Sequence, residues 1–164
     1  MAQSNELLTT WLRDAHAMEK SLIPVLQNHA DDAKDHPDVR ERTQRHLEET
    51  RRHAEIVAQC LERLDAKPSR MKSAWSSVMG RFQAMSSEPF RDELMKNFIS
   101  DYATEQLEIA SYKALIAAAR AMGQEEIARS CEEILSEEED MARWLDQHMA
   151  SAARESIAED ASRA

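Results

Sequence analysis

The chain of 164 residues predicts an all-α fold, a left-handed four-helix bundle, and three observations predict it. Glycine occurs twice and proline four times, while Ala, Glu, Arg, Leu and Met, the strong helix formers, dominate. Apolar residues recur at alternating steps of three and four in four long segments, the spacing that lines one face of a helix. Polar or proline-bearing breaks separate those segments. The length suits one domain with a core shared by four helices.

The first helix is expected from about Asn5 to Asn28, capped by Ser4, with Leu8, Leu12, Ala15, Glu19, Leu22 and Leu26 facing inward. Pro24 removes one backbone hydrogen bond and should bend its last turn. HADDAKDHP is a polar break ending in Pro37, a good first helical residue. The second helix runs to about Asp65 with Val39, Thr43, His46, Thr50, His53, Val57, Cys60 and Leu64 in register. Lys67 to Ser87 holds Pro68, Gly80 and paired serines, yet also Met71, Trp75, Val78, Met79, Phe82 and Met85. It reads as a short amphipathic helix inside a long crossover between helices 2 and 3, and bundles with one such crossover include the ferritin-like folds.

Ser87 and Pro89 open the third long helix, which ends at Met122, with Gly123 as a left-handed cap. Phe98, Tyr102, Glu105, Ile109, Tyr112 and Ile116 form its stripe, and Glu108 lies beside Glu105. The fourth, from about Gln124 to Ala150, turns Ile127, Cys131, Ile134, Glu138, Met141, Leu145 and His148 inward. Residues 1–150 then make the bundle and 151–164 a frayed polar tail.

Charge narrows the function. A formal charge of -10 excludes nucleic acid and an anionic membrane as partners, because phosphate binding needs clustered positive charge. No apolar run is long enough to span a bilayer, and the N-terminus shows no basic-then-apolar signal, so a cytoplasmic location is expected. Cys60 and Cys131 fall on core stripes and read as buried thiols rather than a disulfide.

The informative feature is the set of carboxylates on those stripes. Glu19, Glu105 and Glu138 occupy inward positions on three helices, and His46, Glu49 and His53 share one face of the second. Buried charge is costly without a cation or hydrogen-bond partner. A metal pair explains the convergence, since iron and manganese favour carboxylate oxygen with some imidazole nitrogen. Each element alone is weak: with 31 acidic residues, an E-x-x-E pair such as Glu105 and Glu108 is ordinarily a solvated face. Conjunction on four apolar stripes carries the inference. Tyr102 and Tyr112 read as packing residues whose hydroxyls reach the polar centre. His29, His36 and His148 read as uninvolved, and Met71, Met79 and Met85 as core.

The stretches DAHAMEKSL, RHLEETRRH, EQLEIASYKAL and ILSEEED, with RMKSAW in the crossover, resemble the YciE/YciF stress-protein family of ferritin-like domains over about Leu7 to Leu145. EQLEIASY is more distantly similar to the third-helix metal segment of rubrerythrins. The resemblance implies a ferritin-like fold, a homodimer and a dimetal site of two iron or manganese ions. Its candidate ligands are Glu19, Glu49, Glu105, Glu108 and Glu138, with His46 or His53 as nitrogen donor. Rubrerythrins carry Glu-x-x-His in helices 2 and 4; here Thr50 stands three before His53, and Asp140 three after Glu137. His46 and His53 are seven residues apart, about 10 Å along the axis, so only one is expected at the site. His46 is favoured by the HLEET segment and His53 by the rubrerythrin-like position.

The expected function is a cytoplasmic, stress-associated protein whose dimetal centre reduces oxygen or peroxide as its metals are oxidised. Glu49 and Glu138 would bridge, Glu19 and Glu108 would bind terminally, and Glu105 would shift between the ions. Tyr112 would donate a hydrogen bond behind the ligands. No CxxC identifies an electron donor. The alternative is a non-enzymatic stress-protection dimer with a vestigial site, and iron storage ranks third. A dimer is also expected because the crossover residues, Trp11 and Trp144 add apolar surface beyond the four stripes.

Overall fold

The computed structural model describes residues 2–68 and 93–163. Four helices account for nearly all of them: α1 (Ala2–Asp32), α2 (Pro37–Arg63), α3 (Glu93–Ala121) and α4 (Glu125–Arg163). α1 begins earlier than expected, so Ser4 lies inside it rather than capping it, and the helix continues through Pro24. A single 3-10 turn, Ala33–Asp35, precedes Pro37, which opens α2 with Asp38 in its first turn, where a carboxylate suits the helix dipole.

Two helix ends use one device. After α3, Gly123 takes φ 69°, its N–H reaches the Arg120 carbonyl at 3.0 Å, and the Gln124 N–H reaches Ala119 at 2.8 Å. After α2, Asp65 takes φ 52°, its N–H reaches Glu62 at 3.0 Å, and the Ala66 N–H reaches Leu61 at 2.9 Å. Both are left-handed stops that satisfy otherwise orphaned carbonyls.

Cross-links give the topology. His29 of α1 meets Asp101 of α3, while Glu19 meets Tyr112, so α1 and α3 are antiparallel. Arg63 meets Glu126, His53 meets Glu137, and His36 meets Glu155, so α2 and α4 are antiparallel too. With hairpins joining α1 to α2 and α3 to α4, the helices α2 and α3 run parallel on one diagonal. The chain leaves α2 beside Arg13, which donates to the Lys67 carbonyl at 3.0 Å. It re-enters near the opposite end, where Asn97 donates to Asp32 at 3.1 Å. The two ends of the connection therefore lie at opposite ends of the bundle, about 40 Å apart for a helix the length of α2. This is the long crossover the sequence predicts. Its expected inner helix, with Met71, Trp75, Val78, Met79, Phe82 and Met85, lies outside the described residues.

One expectation is corrected. The segment expected to fray from Ser151 continues α4 to Arg163, because Ala152 is buried against the Phe98, Met141 and Leu145 cluster and His36 pairs with Glu155 and Glu159. A larger apolar cluster includes Leu8, Leu12, Met18, Leu22, Leu61, Leu115, Ile127 and Ile134. On α4, Glu138 sits between Ile134 of the large cluster and Met141 of the small one. Cys60 and Cys131 are free and buried.

Candidate metal centre

The inward stripes deliver what their spacing promised. Glu19 of α1, Glu105 and Glu108 of α3 and Glu138 of α4 are all at most 2% exposed, and so are His46 and His53 of α2. They form two overlapping groups, within each of which the candidate ligand atoms lie within 4.8 Å of one another. One holds His46, Glu105, Glu108 and Glu138; the other holds Glu19, His53 and Glu138. Glu138 alone belongs to both.

Both histidines reach the centre, which corrects the expectation of only one. Residues seven apart on α2 lie on one face two turns apart, and Glu138 enters from α4 between them. His46 Nε2 lies 3.0 Å from Glu105 and 3.6 Å from Glu138 Oε2; His53 Nδ1 lies 2.8 Å from Glu138 Oε1 and 3.7 Å from Glu19. One glutamate thus presents one oxygen to each imidazole.

The other ring nitrogens face outward to carboxylates. His46 Nδ1 pairs with Glu49 at 3.1 Å and His53 Nε2 with Glu137 at 2.7 Å. Guanidinium groups back both, Arg42 on Glu49 at 3.2 Å and Arg52 on Glu137. Glu49 therefore falls in neither inner group, and its expected bridging position is corrected: it sits at the rim and orients His46. Glu105 falls in one group only, not between the two. Glu137 was not expected to meet His53. The signal was its place one residue before Glu138, on the α4 flank that turns toward α2.

Electrostatics follow from burial. Glu108 is held well above the usual carboxylate range by desolvation and by the charges of Glu138, Glu19, Glu105 and Asp101. Burial raises Glu19 and takes Glu105 to about 8. For Glu138 burial acts upward, but His53 and His46 outweigh it and its pKa falls. Burial opposes charge on both imidazoles, yet Glu105 raises His46 well above its ordinary value and Glu138 raises His53 to about 10. Glu49, only half-buried, is drawn down to about 2: burial acts against that shift, and His46 and Arg42 overcome it.

Hydrogen bonding leaves a residue of unmet need. Both oxygens of Glu108 and of Glu138, one each of Glu19 and Glu105, and His53 Nδ1 are buried without a well-directed hydrogen bond. Buried polar atoms are ordinarily satisfied, and here those without such a bond converge on one volume. Tyr112, fully buried, donates to the other Glu19 oxygen. Tyr102 packs in the Phe98 cluster instead.

Three other histidines stand apart. His29, expected in a loop, is in the last turns of α1, buried against Asp101 at 2.7 Å. His36 pairs with Glu155 and Glu159, and His148 stacks on Trp144 at 4.2 Å between centroids.

A family model described as a domain of unknown function, DUF892, matches residues 3–158. The chain belongs to the DUF892 family. Among solved structures, this DUF892 chain is similar to a protein of Xanthomonas campestris pv. campestris at 34% identity and a TM-score of 0.82, over 96% of this chain and 98% of that one. The E. coli stress protein YciF shares 25% identity at a TM-score of 0.81, covering 94% and 99%. A ferritin-like, diiron-carboxylate protein from Bacillus anthracis, at 18% identity and a TM-score of 0.70 over 91% and 99%, shares the fold. The DUF892 chain is thus a ferritin-like bundle with a buried carboxylate–imidazole cluster. It departs from the Glu-x-x-His pattern in a definite way. Thr50, three before His53, spends its hydroxyl on the His46 carbonyl at 2.9 Å. Met141, three after Glu138, is buried in the apolar cluster. The second imidazole comes instead from His46, two turns before His53.

Proposed function

We propose that this chain binds two first-row divalent ions, iron or manganese, in the buried cluster, as a cytoplasmic, stress-associated homodimer that reduces oxygen or peroxide. The observation that carries the reading is Glu138: fully buried, turned through one oxygen toward each imidazole, and common to both ligand groups. The donor set fits. Four buried carboxylates carry four negative charges, which two divalent ions neutralise while both imidazoles stay neutral ligands. His46, Glu105, Glu108 and Glu138 would hold one ion, and Glu19, His53 and Glu138 the other. Bound iron or manganese supplies one-electron oxidation and reduction. The chain orients: Glu49 and Glu137 fix the imidazoles, Tyr112 fixes Glu19, and the apolar layers on either side exclude water. Likeness to YciF supports the stress association, and the exposed Leu7, Trp11 and Ile99 support a second copy as partner. Among the described residues no helix is long and apolar enough to cross a membrane.

Elemental analysis of protein purified without chelator tests this. Wild type should carry two ions per chain, and Glu138→Ala should lose both, because the groups share that residue. Wild type that takes up neither iron nor manganese refutes it. The second reading, a non-enzymatic scaffold with a vestigial site, is favoured by the 3.0 Å His46–Glu105 and 2.8 Å His53–Glu138 approaches, which offset part of the buried charge with protons alone. On that reading Glu138→Ala changes no metal content.

A further inference from the structure

Apolar side chains lie on both sides of the cluster along α4, Ile134 on one and Met141 on the other, so a lateral route suits its ions. Among the described residues, one cleft lies against the carboxylates that back its imidazoles. Between α2 and α4 lies a space of about 530 Å³ lined by Glu49, Glu137, Arg42 and Asp140 among others. Two of these, Glu49 and Glu137, are the carboxylates bonded to the outer nitrogens of His46 and His53. The cleft is therefore one imidazole away from the inner carboxylates at two places. Two other clefts among the described residues, one beside Trp11 and Leu115 and one beside His36 and Trp144, touch neither Glu49 nor Glu137.

Sign and exposure agree with a cation path. Five carboxylates and three guanidinium groups line the cleft, Asp38, Glu41, Glu49, Glu137 and Asp140 against Arg42, Arg45 and Arg143. Each of the three arginines is paired with a lining acid, at Glu49, Glu41 and Asp140, and Arg52 reaches Glu137 from outside the lining, so the acids still outnumber the guanidinium groups. A groove of net negative charge concentrates cations and repels anions. The side chains of Glu49 and Glu137 are 18% and 35% exposed, between the bulk-facing Asp140 at 61% and the inner glutamates near zero. Carboxylates of graded burial thus lead from solvent to each imidazole.

We propose that the α2–α4 cleft is the uptake route for divalent cations, and that Glu49 and Glu137 are relay residues that pass a cation to His46 and His53 without remaining ligands of the filled site. The proposal rests on the dimetal reading, and the test separates the two. Apo full-length protein is mixed with Co(II), and its visible absorption is followed in time and titrated to its end point. Wild type should saturate at two ions. Glu49→Gln and Glu137→Gln, which keep shape and remove charge, should slow uptake by about tenfold each while still saturating at two. Asp140→Lys, on an exposed position where folding is not at stake, should slow uptake as well, with the difference erased by raised salt. Unchanged rates in all three variants overturn the route. An end point below two in the Gln variants also overturns it, because Glu49 and Glu137 would then be ligands of the filled site. Wild type that binds no Co(II) overturns the dimetal reading and the route with it.

Discussion

The same four stripes build two unlike layers of this bundle. Leu12, Leu61, Ile127 and Ile134 of the large cluster are apolar and at most 1% exposed. Seven residues along α1 from Leu12, about 10 Å at helical rise, the inward residue is Glu19, and the facing positions are His53, Glu108, Tyr112 and Glu138. Helical geometry does not distinguish the layers. Chemistry does: the apolar layer completes itself by excluding water, whereas the polar layer is complete only when cations or protons balance its carboxylates. One layer holds the helices together, and the other is what they are held together around.

Breaking the apolar layer should give the largest effect. Leu12→Ala removes a fully buried side chain from the large cluster and should cost about 2–5 kcal/mol in urea unfolding. Metal stoichiometry should be untouched, since the cluster lies two turns away. A stoichiometry that falls in step with stability would show that the layers are not separable.

Removing the centre of the polar layer should also destabilise, for a different reason. In metal-free protein, Glu138→Leu takes away the carboxylate that faces both His46 and His53 and leaves those imidazoles without it, and should lower stability by about 3 kcal/mol. Metal uptake should vanish in the same variant. A gain of apo stability would mean that the desolvation of Glu138 outweighs its imidazolium pairs.

A smaller effect distinguishes how the polar layer is balanced. In the apo protein His53 is raised to about 10, against its burial, by Glu138 and Glu19, and Glu105 is raised to about 8 by burial. Both bind protons more tightly folded than unfolded. Their stabilisation is full below their unfolded values, about 6.5 for His and 4.3 for Glu, and is lost as pH rises through about 8 and then 10. Apo Tm should therefore fall between pH 6 and 10. Metal binding displaces those protons, so affinity for metal should rise over the same range. An apo Tm that rises toward pH 9 would remove protons as the alternative balance.

Position on a stripe made most of this legible. Glu19, Glu105, Glu108 and Glu138 were readable because a carboxylate in an apolar register stands out. Glu49 was misplaced because its neighbourhood in HLEET is ligand-like, whereas three residues after His46 it is rotated off the inward line to the cleft. Glu137 hid in a run of acids, where only contact with His53 across the α2–α4 seam distinguishes it. The second histidine was discounted by counting rise along the axis and omitting that one glutamate has two oxygens. The end of α4 was missed because Ala152 continues the Leu145 stripe with a side chain too small to announce itself.

The smallest expected effect compares the two helix stops. Gly123 and Asp65 occupy equivalent left-handed positions, with the same pair of backbone hydrogen bonds behind them. A Cβ at position 123 would meet nothing within 4 Å, so Gly123→Ala carries no clash, only the backbone cost of positive φ, about 1 kcal/mol of lost stability. Asp65 already bears that cost, lessened because Asp tolerates the left-handed region better than most residues. Asp65→Gly should thus gain a few tenths of a kcal/mol up to about 1 kcal/mol, the gain offset in part by a more flexible unfolded chain. Urea midpoints for the two variants, measured apo, should move in opposite directions. If Asp65→Gly lowers the midpoint, the Asp65 side chain stabilises the end of α2 by more than the strain it carries, and the two stops are alike in backbone only.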